Sequence, residues 1–137
     1  MASTDEHAGG CLCGAIRYRA RGEPSHTNIC HCSQCRRQTG SPIGAFVTFP
    51  LDRFELLQGA PTGYRASDFA TRDFCARCGS TLFWRADGAD EVDCFLGTLD
   101  HPERVPKPMD QLWTQHRIPW FPAQPEIKGF HASRQEG

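Results

Sequence analysis

The grouping of the cysteines constrains this chain more than any other feature of its sequence. Of its eight cysteines, seven fall into three tight motifs: Cys11 and Cys13; Cys30, Cys32 and Cys35; Cys75 and Cys78. The spacings Cys-x-Cys and Cys-x-x-Cys bring thiolates close enough to bind one metal ion, and zinc takes four such ligands in a structural site. The motifs therefore predict bound zinc.

The rest of the composition favours a reducing compartment. The N-terminal stretch, MASTDEHAGG, is polar, and no apolar run approaches the roughly 20 residues that cross a membrane. We therefore expect a cytoplasmic protein that does not bind membranes, in which thiols stay reduced and disulfides are rare. The net charge of −1 argues against a nucleic-acid partner, because such binding depends on neutralising phosphates.

Short apolar segments bounded by turn residues predict an all-β fold. We predict strands over residues 15–21, 43–49, 53–57, 80–86 and 92–98. In the first of these, Ile16, Tyr18 and Ala20 alternate with arginines, as in a strand with one buried face. The length predicts one domain over residues 1–137, with a core over about residues 9–121 and frayed ends that include the final ASRQEG.

Helix is predicted at only two places. Residues 33–40 fit one or two helical turns, with Ser33 as N-cap and Gly40 as stop signal. Residues 109–113, MDQLW, fit one further turn. Ten prolines and thirteen glycines favour short strands joined by loops over longer helices.

The seven clustered thiols divide most simply into four and three. One set would close a tetrahedral structural zinc site, and we term it the four-cysteine group: Cys11, Cys13, Cys75 and Cys78. The other set would hold a second zinc with one position open, as reactive zinc sites do, and we term it the cysteine triplet: Cys30, Cys32 and Cys35.

Two other arrangements remain open at this point. A zinc ribbon would pair the last two motifs, using Cys32, Cys35, Cys75 and Cys78. Alternatively, the triplet is a second closed site that takes a histidine as its fourth ligand, from His31, His101 or His116. Because His31 lies between two cysteines of the triplet, we expect its side chain to point away from the metal.

Five segments resemble one known family: GGCLCGAIRYRA, CHCSQCRRQTGSP, CARCGSTLFWR, GTLDHPE and QLWTQHRIPWF. They resemble the glutathione-dependent formaldehyde-activating enzymes, whose animal relatives include centromere protein V. The resemblance runs from about Gly9 to about Phe121 and includes all seven clustered cysteines.

The resemblance implies a fold, a metal content and a reaction. The fold would be Mss4-like, with small antiparallel sheets organised around zinc. Two zinc ions per chain are implied, a structural one in the four-cysteine group and a labile, functional one in the triplet. The family reaction joins formaldehyde to the thiol of glutathione, giving S-hydroxymethylglutathione, and is classified by its reverse as a carbon–sulfur lyase.

The chemistry of three thiolates on zinc favours the same reaction class. Such a centre has a net charge of about −1, so it activates water poorly but accepts another soft thiolate. A substrate thiol bound there would lose its proton and could attack an aldehyde carbon. We therefore expect an enzyme that acts on a small, glutathione-like thiol and an aldehyde such as formaldehyde.

A few further residues are candidates for the site. Arg36 follows the triplet and suits a substrate carboxylate. Trp113 and Trp120 are expected to contact the substrate and cover the zinc, although aromatic residues also fill cores. Cys94, outside the motifs, is expected in the core as a small apolar residue.

Two other functions fit the cysteine motifs. The chain could be a noncatalytic, zinc-stabilised interaction module, as the centromere-associated relative suggests. It could instead be a zinc or thiol sensor that uses the triplet as a labile switch. Zinc stoichiometry during chelation separates the module from the enzyme, because we expect the enzyme to lose one zinc without unfolding and the module to lose both zinc ions and unfold.

Overall fold

The computed structural model describes residues 5–134, which form mostly β-sheet and one α-helix. The helix, α1, spans Ser33–Thr39. The strands of the described residues are β1 (Glu6–Gly10), β2 (Arg17–Arg21), β3 (His26–Cys30), β4 (Gly44–Pro50), β5 (Phe54–Gln58), β6 (Thr62–Arg65), β7 (Ala70–Phe74), β8 (Thr81–Ala86), β9 (Glu91–Phe95), β10 (Asp110–Leu112) and β11 (Lys128–Gly129). No helix in this part of the chain has the length and apolarity needed to cross a membrane.

The strands form two sheets. The smaller has three antiparallel strands in the order β1-β2-β5. The larger has eight strands in the order β11-β10-β3-β4-β9-β8-β7-β6 and is mixed, because β10 runs parallel to both β3 and β11. The prediction of an all-β fold is confirmed, and β2, β4, β5, β8 and β9 fall on the five predicted strands.

The three-stranded sheet packs against one face of the eight-stranded sheet. Alternate residues of β2 face inward, so that Tyr18 and Ala20 are fully buried. The Tyr18 ring lies 5.2 Å from the ring of Phe83, centroid to centroid, and β4 contributes Val47 and Phe49. Since each fully buried side chain of this kind contributes about 1.5–3 kcal/mol, this core holds the two sheets together.

The opposite face of the eight-stranded sheet carries the cysteine triplet. Residues of β4 alternate between the two sides, so Phe46 and Thr48 line a cavity on this face. Helix α1 lies over β4 at Gly44, where an added Cβ would come within 3.1 Å of the Cβ of Cys35. The absence of a side chain at Gly44 therefore lets the helix approach the sheet.

The helix predictions hold for one segment and fail for the other. Helix α1 occupies residues 33–39 and ends at Gly40, which has a φ of 70°, but Cys32 rather than Ser33 is its N-cap. The prediction of a helical turn at 109–113 was wrong, because residues Asp110–Leu112 pair with β3 as strand β10. Because β3 precedes β10 by about 80 residues, no pattern in the sequence near residues 109–113 indicates that this segment pairs as a strand.

Both ends of the described region are packed. At the N-terminal side, β1 pairs with β2 from Glu6 onward. At the C-terminal side, Ala132 is buried and Arg134 forms an ion pair with Asp110. Fraying of the ends stays a prediction, and the last three residues of ASRQEG lie outside the described residues.

Candidate metal and substrate site

The four-cysteine group brings together two distant parts of the chain. Cys11 and Cys13 follow β1, whereas Cys75 and Cys78 lie in the loop between β7 and β8. The four Sγ atoms all lie within 4.8 Å of one another, and that of Cys13 is 3.9 Å from that of Cys75. Four thiols at this spacing fit one tetrahedral zinc ion.

Backbone turns and hydrogen bonds fix this group. Gly14 and Gly79 each have a φ of 82°, a conformation that glycine adopts without strain, and each follows a cysteine. The backbone N–H of Ile16 donates to the Sγ of Cys11 over 3.3 Å. Hydrogen bonding from Ser80 lowers the pKa of the Cys78 thiol to about 5, which favours the thiolate that a metal binds.

The cysteine triplet is formed where β3 passes into α1. Cys30 ends β3, Cys32 caps the helix and Cys35 lies in its first turn. The three Sγ atoms lie within 4.8 Å of one another, and no His, Asp or Glu among residues 5–134 joins them. The fold therefore does not form the zinc-ribbon grouping, because Cys75 and Cys78 lie with Cys11 and Cys13 and not with Cys32 and Cys35.

The three histidines considered as a fourth ligand have other positions. His31 is buried and its Nε2 lies 3.0 Å from the Oε1 of Gln111, so its side chain points away from the triplet. His101 lies beside Glu103. His116 stacks on Trp113 and lines the cavity without joining the sulfur cluster.

The ionisation of the triplet fits a cation-binding site. Hydrogen bonds with Cys30 and Cys35 lower the pKa of Cys32, whereas hydrogen bonds with Cys32 and Cys35 raise the pKa of Cys30. One thiolate is thus stabilised by its neighbours, and ionising all three at such short range requires a positive charge. A divalent metal supplies that charge, and a soft, all-thiolate donor set suits zinc.

A buried arginine, which the sequence analysis did not identify, contacts the triplet. Arg72 of β7 is 5% exposed, and its Nη2 donates to the Sγ of Cys35 over 3.4 Å. Gln34 and Gln38 of α1 accept hydrogen bonds from the same guanidinium, over 3.4 and 2.6 Å. Its segment, ATRDF, is too polar to stand out as a buried strand, so the sequence gives little signal for this residue.

A cavity of about 560 Å³ opens beside the triplet, and all three cysteines line it. Phe46, Trp84 and Trp113 form much of its apolar wall. Polar side chains also line it: His26, Asn28, Thr48, Arg72, Glu91, Asp93 and Arg134. A cavity of this size is large enough for a small-molecule substrate.

The structure separates the predicted substrate-contact residues. Trp113 lines the cavity, and its contact with the substrate stays a prediction. Arg36 and Trp120 do not line it, and Trp120 is 70% exposed, so contact of either residue with the substrate stays a prediction. Arg36 lies on α1 in the turn after Cys35, away from the cavity side, and Cys94 is fully buried in the core as expected.

Comparisons with known proteins match the motifs and the fold. A Schizosaccharomyces pombe protein described as an uncharacterized lyase is 38% identical over 80 residues, which cover 58% of this chain and 57% of that protein. A Halomonas elongata protein, provisionally named a glutathione-dependent formaldehyde-activating enzyme, is 30% identical over 114 residues, or 71% of each chain. This chain thus spans little more than half of the yeast relative.

A crystal structure of a Rhodobacter sphaeroides protein has a similar fold. Its TM-score is 0.57 at 25% identity, and the match covers 68% of this chain and 87% of that chain. The family model described as glutathione-dependent formaldehyde-activating enzyme matches residues 6–116. That range contains both cysteine clusters and most of the cavity wall. Because the model covers well over half of its length, the chain belongs to the glutathione-dependent formaldehyde-activating enzyme family.

Proposed function

We propose that this protein is a zinc-dependent carbon–sulfur lyase-type enzyme that joins a small, glutathione-like thiol to formaldehyde, or catalyses the reverse reaction. The proposal assigns a structural zinc to the four-cysteine group and a labile, functional zinc to the triplet. A cytoplasmic location would keep all seven thiols reduced and available for metal.

One observation carries the proposal: the triplet borders the cavity and no described side chain completes it as a fourth ligand. Cys30, Cys32 and Cys35 would hold the zinc ion, whose positive charge would keep a substrate thiol ionised at neutral pH. The aromatic wall of Phe46, Trp84 and Trp113 keeps water away from the sulfur and leaves room for the rest of the substrate.

The reaction needs little more than a positioned thiolate. The substrate sulfur attacks the carbonyl carbon of formaldehyde, a carbon–sulfur bond forms, and the electron pair of the C=O π bond moves to oxygen. That oxygen takes up the equivalent of the proton that the thiol released, so atoms and charge balance. Arg72 holds the Sγ of Cys35 in a hydrogen bond, which makes that sulfur a poorer nucleophile than the substrate thiolate.

The test measures exchange of ¹³C-formaldehyde between its hydrate and S-hydroxymethylglutathione by NMR exchange spectroscopy. We expect the zinc-loaded protein to accelerate this exchange and Cys32→Ser to return it to the uncatalysed rate. The variant should retain one zinc per chain, because the four-cysteine group is unchanged. Cys94→Ala is the control, since Cys94 lies in the core and its sulfur belongs to neither group of candidate metal ligands.

Full exchange activity in Cys32→Ser would contradict the proposal. Loss of both zinc ions together with the fold, on mild chelation, would favour the noncatalytic module instead. Reversible loss of one zinc without any effect on the exchange rate would favour the sensor.

A further inference from the structure

The cavity has a sulfur end and a polar end. Across the floor of the cavity, His26, Thr48, Asp93 and Trp84 lie opposite one another on β3, β4, β9 and β8. Cys30 lies four residues along β3 from His26, which corresponds to about 13 Å at about 3.3 Å per residue. A ligand that reaches both ends must therefore be extended, with its sulfur remote from its polar group.

The polar end carries an excess of negative charge. Asp93 accepts a hydrogen bond from the Thr48 hydroxyl through Oδ1, and no ion pair to Asp93 exists among residues 5–134. The nearby side chains of His26 and Arg134 both bind Asp110 instead, over 2.9 Å in each case. Glu91 adds a second carboxylate to the same end. Burial raises the pKa of Asp93 to about 6, so the group is still mainly ionised at neutral pH.

A second acceptor lies between the two ends. Asn28 is on β3 between Cys30 and His26, lines the cavity and is only 8% exposed. Its Oδ1 is buried and has no hydrogen-bond partner among the described residues. A buried carbonyl oxygen without a donor is costly, so a ligand N–H at this point would be favoured.

We infer that the cavity binds a thiol that carries a primary ammonium group at the end remote from its sulfur, with Asp93 pairing with the ammonium and Asn28 accepting a ligand N–H. The inference rests on the proposed function for the position of the sulfur. Trp84, which lies opposite Asp93, offers an aromatic face to the same cation. A ligand end that carried a carboxylate without an ammonium would instead meet Asp93 and Glu91 and be repelled.

The test compares three probes by calorimetry on the zinc-loaded protein: glutathione, N-acetylglutathione and S-methylglutathione. N-acetylation removes the ammonium and keeps the thiol, so it should weaken binding about tenfold in the natural protein. In Asp93→Asn, which keeps the acceptor for Thr48, glutathione should bind about tenfold more weakly and N-acetylation should change affinity less than about twofold.

The control is Asp90→Asn, the same change at a position outside the cavity, which should leave all affinities unchanged. S-Methylglutathione cannot form a thiolate but keeps the ammonium, so its binding tests the polar end alone. If it binds and depends on Asp93 while glutathione binds no better, the proposed function fails and this inference stands. Equal binding of glutathione and its N-acetyl form, or no binding of any probe, overturns the inference.

Discussion

At the scale of single residues, Arg72 is the least expected part of the site. Three side chains, those of Gln34, Cys35 and Gln38, accept hydrogen bonds from its buried guanidinium. Its positive charge lies beside a donor set that becomes negative when three thiolates bind zinc. Partners of metal ligands orient those ligands and stabilise their ionised form. Arg72 therefore both fixes Cys35 and offsets the charge of the loaded site.

We predict that Arg72→Gln weakens zinc binding at the triplet by about 10–100-fold, the usual effect of losing a hydrogen-bond partner of a metal ligand. Competition with a chromophoric chelator measures this affinity directly. Mass spectrometry should also show faster alkylation of Cys35, since its sulfur loses the N–H donor. Arg37→Gln removes the same charge from an exposed position on α1 and should have neither effect. Unchanged zinc affinity in Arg72→Gln would exclude the role assigned to Arg72.

At the scale of elements, the contact between α1 and β4 sets the geometry of the triplet. The helix supplies Cys35, and β4 approaches it at Gly44. An added Cβ at Gly44 would lie 3.1 Å from the Cβ of Cys35 and 3.2 Å from the Cε2 of Phe46. Neither neighbour moves freely, because one is a candidate metal ligand and the other packs in the cavity wall.

Gly44→Ala should therefore displace α1 and lower zinc affinity at the triplet, while the four-cysteine group keeps its metal. We expect a drop of about tenfold, comparable to other losses of ligand positioning. Zinc per chain after stepwise chelation is the measurement. Gly97→Ala is the control, because a Cβ at Gly97 meets nothing within 4 Å. If Gly44→Ala bound both zinc ions as tightly as the unaltered protein does, the contact between α1 and β4 would not set the geometry of the triplet.

Strands and helices that show apolar–polar alternation or a stop residue in their own sequence could be predicted. Elements without such a local pattern could not. The alternation in residues 15–21 and the stop at Gly40 both depend on neighbouring residues, and the structure agrees with them. Strands β3 and β7 were not predicted, because residues such as Asn28 and Arg72 put polar groups on buried faces. Those polar groups face the cavity. The apolar–polar alternation that predicts a strand is therefore lost at positions where the candidate site needs polar side chains.

At the scale of the whole molecule, the four-cysteine group connects the two sheets. Cys11 and Cys13 follow a strand of the small sheet, whereas Cys75 and Cys78 join two strands of the large sheet. Cys13 and Cys75, whose Sγ atoms lie 3.9 Å apart, are separated by 62 positions in the sequence. Closing a loop of that length costs entropy, and metal binding compensates for it.

We predict that Cys75→Ser is largely unfolded at 25 °C, whereas Cys32→Ser remains folded. Structural zinc sites contribute on the order of 10 kcal/mol, which matches or exceeds the net stability of a domain of this size. Circular dichroism during thermal unfolding, with zinc present, distinguishes the two variants. The two substitutions are chemically identical, so a difference between them tests whether the four-cysteine group is structural and the triplet is not. A cooperative transition for Cys75→Ser near that of the unaltered protein would contradict the structural assignment.

The metal ligands and the cavity differ in how far the sequence determines them. The spacing within each cysteine motif is local, so the three motifs and the family could be identified from the order of the residues, whereas the choice between the two groups and a zinc ribbon needed the fold. The cavity draws its lining from several strands, α1 and the C-terminal segment, including Asp93 and Arg134. No motif links such residues, and only the register of the sheet brings them together.

The parallel placement of β10 beside β3 also determines the order in which the protein is completed during translation. The roughly 80 residues between the triplet and β10 take about 4–16 s to synthesise at about 5–20 residues per second. During that interval the thiols of Cys30, Cys32 and Cys35 emerge from the ribosome before β10, the strand that pairs beside Cys30. Leu112 and Trp113 therefore join the cavity wall only after the triplet and most of the other lining residues have been synthesised.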